Sequence, residues 1–467
     1  MTGRVLHIEL RRSIASWLGA IFLVLTLGLC YGLTGPWGKG SGAWLAQWAS
    51  LAQWQRYFLD FTWPAVFALG AWQGSRQRRS TMDELLSATP RPAWQRAAVL
   101  AGAAAITLTL ASLVFFAIGA VQVARSTGYF TLGWLPTLLV GILAVAAGVV
   151  AGMGIGHLLP YLVTPPLVGV LGFGLMIAAQ WTPSSPVPVR VQLFSPVLPG
   201  AATAFVTVAG SVHIGQALLF AGLAASGFLV SVVRGVRARI ASVLPLALGV
   251  ALALAVLPGR PATAYPADPG AVALVCDDHG PRVCVTRAHQ NLLATLAGPG
   301  RQALARLAVL PGAPTTVIEI PDSGSQYVSL LPRPGDTVQV DLNDHETRYW
   351  GFSRLDPATL EWSMLLGAGT EPCATVLPPG AGPDADLLAR VIAASWLFDG
   401  GARPVLADDP ALASRGPGFA QEADAAEVAL LSLPRPEQVR RVAAVRQAGL
   451  TCQGDPLALL TRGSAFR

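Results

Sequence analysis

The stretch LGWLPTLLVGILAVAAGVVAGMGIG, Leu132 to Gly156, runs for 25 residues without one charged side chain. A bilayer core about 30 Å thick is crossed by roughly 17 to 25 apolar residues in a helix, because a helix satisfies every backbone polar group within one segment. Six more stretches share this character: Ile14 to Thr34, Tyr57 to Gln73, Ala97 to Val121, Leu162 to Trp181, Ile214 to Val233 and Ile240 to Leu257. The Tyr57 to Gln73 run is the shortest and carries Asp60. The pattern predicts a polytopic helical membrane protein of six spans plus a seventh, with an even count of six as the main competitor, followed by a soluble mixed α/β domain outside the membrane. The divisions read as residues 1–235, a permease-like membrane domain; 236–258, the seventh span; 259–270, a Pro-rich linker; and 271–467, the extracytoplasmic domain.

Charge separates the same two halves. Of 467 residues 53% are hydrophobic and 12% charged, against about 25% charged in an ordinary soluble domain. Met1 to Leu257 holds 15 Lys+Arg and 4 Asp+Glu, a net of +11, whereas Pro258 to Arg467 holds 17 and 22, a net of −5. The cations of the first half are scattered between apolar runs, which is a topology signal and excludes the clustered footprint of a nucleic-acid binder. With the N-terminus inside, the inner segments carry eleven arginines: Arg4, Arg11 and Arg12; Arg76, Arg78, Arg79, Arg91 and Arg96; and Arg234, Arg237 and Arg239. The outer loops carry four cations, Lys39, Arg56, Arg125 and Arg190. That asymmetry places the N-terminus in the cytoplasm of a cell-membrane protein, and an odd number of spans places the C-terminal domain outside. The use of 31 arginines and one lysine is that of a GC-rich, bacterial coding sequence.

Cysteine usage points the same way. Cys30 lies in the first span, while Cys276, Cys284, Cys373 and Cys452 all follow the last one, where an oxidising compartment allows two disulfides in any of three pairings. Trp44, Trp48 and Leu51 recur at the spacing of one helix face and predict an interfacial helix on the outer side. Gly148, Gly152 and Gly156 form a ridge of small residues that lets another helix approach closely, within the bundle or across a dimer.

Within the membrane half the only acidic residues are Glu9, Asp60, Asp83 and Glu84, too few for a proton relay through the spans. The single lysine, Lys39 of Gly-Lys-Gly-Ser, lacks the flanking residues of a phosphate-binding loop. Transport energy therefore has to come from another chain. The loop after the second span reads Arg76-Gln-Arg-Arg-Ser-Thr-Met-Asp-Glu-Leu-Leu-Ser-Ala-Thr-Pro90. Thr81 stands three residues before Glu84 as a helix cap with its reciprocal acid, Leu85 and Leu86 follow, and Pro90 ends the turn.

This loop resembles the coupling segment of type-2 ABC exporter permeases, which have a Gly-Thr or Ser-Thr step, then Glu-Leu-Leu, then Pro. The resemblance extends over about the first 235 residues, through the amphipathic Val5 to Leu10, the six spans and the Pro-rich Thr182 to His213 between the fifth and sixth. It departs from the family in Ser80, where Gly is frequent, and in the arginines upstream, where acids are common. The resemblance implies that Thr81, Glu84, Leu85, Leu86 and Pro90 dock on a separate ATPase subunit, that ATP is bound there with no cofactor in this chain, and that the permease works as a homodimer or heterodimer. The chain itself is then no enzyme. A non-transporting sensor or scaffold, and a membrane-tethered hydrolase, are the competing classes.

The last apolar run, with Arg234, Arg237 and Arg239 before it and Ala262-Thr-Ala264 after it, also has the layout of a signal peptide, although an uncleaved tether is the expectation. Beyond it, strands are predicted at Ala271 to Cys276, Arg282 to Thr286, Thr315 to Ile320, Gln326 to Leu331 and Thr337 to Leu342. Helices are predicted at Arg287 to Leu310, Asp384 to Leu397, Ala423 to Leu431 and Arg435 to Gly449. Asp277-Asp-His-Gly280 reads as a hairpin turn that a Cys276–Cys284 bridge would cross. The domain has no Gly-x-Ser-x-Gly, His-Glu-x-x-His or Cys-x-x-Cys motif. His279, His289 and His345 with Asp277, Asp278, Asp341 and Asp344 lack metal-ligand spacing, and no catalytic or metal site is expected.

Overall fold

The computed structural model describes residues 15–31, 48–79, 92–126, 128–180, 188–198, 205–321, 333–340, 342, 357–373, 383–398 and 417–461. The chain forms two compact units, one of residues Met1–Ser126 with Phe130–Ala267 and the other of Thr127–Tyr129 with Asp268–Arg467.

The first unit is helical. Its elements are α1 (Ala15–Tyr31), α2 (Trp48–Tyr57), α3 (Leu59–Arg79), α4 (Ala93–Ser126), α5 (Trp134–Leu158), α6 (Thr164–Gln180), α7 (Gly210–Val232), α8 (Val236–Ala241) and α9 (Leu244–Val256). Each of the seven apolar stretches contains a helix, but among the described residues four helical runs are long and apolar enough to cross a membrane: Ala93–Arg125, Trp134–Leu158, Gly210–Val232 and Val236–Val256. That is fewer than the six plus one expected, for two physical reasons. The described parts of α1 and α6 have 17 residues each, at the lower limit for a span. Helix α3 is 21 residues long but starts on Asp60 and ends on Arg76, Arg78 and Arg79.

Helix α5 is the hub. It packs most extensively on α3 and α7, and α7 packs in turn on α9. The Gly148, Gly152 and Gly156 ridge faces α3 of the same chain. A Cβ on Gly152 would stand 2.3 Å from the Phe67 carbonyl oxygen, and one on Gly156 1.9 Å from that of Ala71. The approach is reciprocal, since a Cβ on Gly70 would stand 2.3 Å from the Val149 oxygen and one on Gly74 2.1 Å from the Met153 oxygen. Trp63 completes the seam by donating its Nε1–H to the Ala144 oxygen at 2.8 Å.

Helix α2 contains Trp48 and Leu51 of the helix expected from their spacing, while Trp44 lies outside the described residues. Trp48 stacks with Trp134 at 5.6 Å between ring centroids and meets Phe130 edge-on at 5.7 Å. The stretch read as a free linker belongs to this unit as far as Ala267. Thr207 and Ala209 donate backbone N–H groups to Pro266 and Ala264 at 2.9 and 3.0 Å, and Ala264 is buried.

The second unit is built on a four-stranded mixed sheet in the order β1 (Leu274–Asp277), β2 (Arg282–Thr286), β3 (Thr316–Glu319), β4 (Thr337–Val340). The β1–β2 pair is an antiparallel hairpin and the other pairings are parallel. The chain crosses from β2 to β3 through a 3₁₀ segment, Arg287–Leu292, and α10 (Leu293–Leu307). On α10 Leu296, Gly300, Ala303, Leu304 and Leu307 recur at helical spacing and are buried. Gly300 lets the helix settle onto the sheet, since a Cβ there would lie 3.2 Å from Val283 Cγ2.

Helices α11 (Pro357–Leu365), α12 (Pro383–Leu397), α13 (Pro417–Leu431), α14 (Arg435–Thr451) and α15 (Pro456–Thr461) complete the unit. Their common core includes Val317, Val338, Trp362, Ile392, Trp396 and Val442. Gln326 to Leu331, expected as a strand, lies outside the described residues. Helices α11 and α15 were not expected from the sequence.

Candidate functional site

The chain alternates direction through the first unit, so α3, α5 and α7 finish at the end of the bundle where α4 begins. A cavity of about 360 Å³ opens there. Gly74 near the end of α3 and Ala93, Arg96 and Ala97 at the start of α4 line it, together with His157 from the last turn of α5. These α3 and α4 residues flank the loop expected to couple to an ATPase. Thr81, Glu84, Leu85, Leu86 and Pro90 themselves lie outside the described residues. Beyond α7 the chain turns at Gly235, whose φ of +92° is a conformation that only glycine adopts without strain, and α8 brings Arg239 back to the cavity. Residues of α7 and its exit, Phe228, Ser231 and Arg234 among them, form the remaining wall.

The opposite end of the bundle holds a cation that the charge count assigned to a loop. Arg56 on α2 is fully buried, and its stem lies against Gly141 of α5. Its Nε–H donates to the Pro196 oxygen at 2.6 Å and its Nη2–H to Gln216 Oε1 at 2.9 Å. Gln216 in turn donates to the Leu193 and Ser195 carbonyls, each at 3.0 Å. The arginine thereby fastens α2 and α7 to the short 189–198 segment. Gln216, a lone amide inside an apolar run, was the available signal. Arg56 had none, because its partners lie 140 and 160 residues away.

In the second unit the four cysteines form the bridges Cys276–Cys284 and Cys373–Cys452, while Cys30 of the first unit is free and buried. The first bridge joins directly paired residues of the β1–β2 hairpin. At the hairpin turn the Asp277 carboxyl is held well below the usual carboxylate range, chiefly by the backbone N–H of His279 and then by Arg301 and the His279 ring. His279 and Asp277 therefore serve an exposed turn with Arg301, not a ligand set. Asp278 pairs with Arg282 on the surface. His345, Asp341 and Asp344 lie outside the described residues, among which no group of three or more His, Cys, Asp or Glu gathers to hold a metal.

His289 instead belongs to a buried polar cluster. Its Nδ1 pairs with Glu319 Oε1, and Glu319 Oε2 accepts the Thr286 N–H at 2.6 Å and its hydroxyl at 2.8 Å. The cluster ties the end of β2 and the following 3₁₀ turn to β3. Its signal was present in the sequence: in Thr316–Glu319 the inward position of Val317 also turns Glu319 inward, two residues on. Replacing Glu319 with Leu leaves buried donors unmet and should cost about 2 kcal/mol of unfolding free energy. Denaturant titration of the full chain checks this. Glu319→Gln, whose amide oxygen still accepts from Thr286, should recover part of the loss, and equal behaviour of the two variants would contradict the assignment.

Two further arginines, Arg446 buried and Arg333 half-buried, shape the helical side of this unit. Arg446 donates to the Ala368 and Gly369 carbonyls at 2.7 and 3.1 Å and to that of Gly335 at 2.8 Å, with burial lowering its guanidinium below the ordinary value. Arg333 clasps the Glu371, Pro372 and Gly449 carbonyls at 2.8 to 3.0 Å. Acceptors of this kind are main-chain oxygens already committed to the fold, so both arginines act as structural clamps.

No protein-family model matches the chain, and no curated protein or solved structure matches it either.

Proposed function

We propose that the chain is the membrane subunit of an ABC-type exporter, paired with a second permease copy and powered by a separate ATPase that binds the ATP. In this reading α1, α3, α4, α5, α6 and α7 are the six spans of the permease, and α8 with α9 is the seventh. The N-terminus lies in the cytoplasm, and the unit of Asp268–Arg467 is an extracytoplasmic accessory domain. Four helices long and apolar enough to cross a membrane and two disulfides that need an oxidising compartment support the placement.

One observation carries the coupling role. The two roots of the loop that contains Glu84 and Leu85 line one cavity at the end of the bundle where α3, α5 and α7 all finish. A push on that loop therefore reaches α3 and α4 directly, and through the α3–α5 seam it reaches the hub. The test is recovery of the solubilised protein from its native membrane together with whatever binds it. A Walker-motif ATPase should come down in about equal amount. Replacing Glu84 and Leu85 with Ala should weaken its retention by roughly thirtyfold, about 2 kcal/mol, with membrane insertion unchanged. Undiminished retention in the double variant would remove the coupling assignment, and absence of any ATPase under conditions that preserve a known exporter complex would favour a sensor or scaffold.

A further inference from the structure

The cavity at the loop roots gathers basic side chains from four directions. Arg96 comes from the first turn of α4, His157 from the last turn of α5, Arg234 from just beyond α7, and Arg239 from α8. None of the described residues lining it is acidic. Ala97, Val150, Met153 and Phe228 also line it. Its volume of about 360 Å³ falls in the range of small-molecule sites, about 300–1,000 Å³.

Arginines at the end of a helical bundle are ordinarily solvated along their whole head. Arg239 is different: its Nε is sealed from solvent and has no hydrogen-bond partner among the described residues. An unmet buried donor is costly, and an anion that enters relieves it. The planar guanidinium fork matches the oxygens of a phosphate, and the glycine turn at Gly235 brings Arg234 and Arg239 to one opening.

We propose that this cavity binds a phosphate group, with Arg234 and Arg239 supplying the guanidinium forks, Arg96 adding positive charge and His157 lining the wall beside them. A lipid headgroup and a free phosphate share the chemistry of the site. The inference needs neither ATPase docking nor export, and stands or falls apart from them.

The test uses the full chain purified in detergent. Native mass spectrometry after addition of phosphatidylglycerol or phosphatidylcholine reads lipid retention, and thermal unfolding with inorganic phosphate reads the free anion. For a headgroup site, phosphatidylglycerol is retained about tenfold better than phosphatidylcholine, and Arg234→Gln with Arg239→Gln abolishes the preference while Arg234→Lys with Arg239→Lys keeps part of it. Equal retention of both lipids with a stabilising response to inorganic phosphate, lost in the Gln variant, supports the site and identifies free phosphate as its source. Lack of both responses in the unmodified protein overturns the proposal, as does a preference that survives in the Gln variant.

Discussion

Replacing Cys373 and Cys452 with Ser should lower the stability of the second unit by about 4–5 kcal/mol, whereas the same change at Cys276 and Cys284 should cost about 2–3 kcal/mol. The two bridges span 79 and 8 residues of sequence, and a cross-link removes more freedom from the unfolded chain when it closes a longer loop. Native context adds to the difference. The Cys276–Cys284 bridge joins strands already held by hairpin hydrogen bonds. The longer bridge fastens Cys452, which ends α14 in the left-handed region at φ +53°, to the segment that Arg333 clasps. Without it that helix end keeps an unfavourable backbone conformation and loses one of its anchors. For a unit of about 200 residues the loss corresponds to a fall of roughly 10–15 °C in melting temperature. Thermal unfolding of the two double-Ser variants, in the full chain, gives the comparison. An equal or larger fall on removing the hairpin bridge would contradict the loop-length argument.

Gly156→Leu should destabilise the first unit by more than about 3 kcal/mol, to the point of losing monodisperse protein, because the new Cβ would fall on the Ala71 backbone oxygen. A side chain in that place could turn aside, but a carbonyl inside α3 moves only with its helix. The control is Gly174→Ala in α6. Nothing lies within 4 Å of a Cβ there, and a helical Gly→Ala change in open space is neutral or stabilising by up to about 1 kcal/mol. Size-exclusion chromatography and thermal unfolding of both variants read the contrast. If Gly156→Leu behaved like Gly174→Ala, the glycine seam would not hold α3 against α5.

What could be read from the sequence was what repeats locally. Apolar runs marked α1, α3, α4, α5, α6, α7 and α9 of the first unit, and alternation or β-branching marked β1, β2, β3 and β4. The turn residues of Asp277 to Gly280 placed the hairpin. What stayed hidden depends on partners distant in sequence. Arg56 looked like a loop cation because its acceptors, the Pro196 carbonyl and Gln216, belong to segments far along the chain. Pro258 to Pro269 looked like a tether because prolines and small residues also suit a segment pressed onto a bundle, as the buried Ala264 is. His289 and Glu319 sit on two different elements, and only the parallel β2–β3 pairing makes them neighbours.

The polarity of α3 has a consequence for how such a chain is made. With Asp60 near its start, Gln73 inside and three arginines at its end, α3 is not among the helices long and apolar enough to cross a membrane, and in the proposed membrane setting it would enter a bilayer poorly alone. Its glycines Gly70 and Gly74 instead face the backbone of α5, a helix that leaves the ribosome only after α4 and its flanking loops. On the proposed membrane placement, α3 would wait at the insertion machinery, or outside the lipid, until α5 emerges to receive it. Faults in the glycine seam should accordingly surface first as chains threaded with the wrong topology and cleared by quality control, before any finished molecule could be melted.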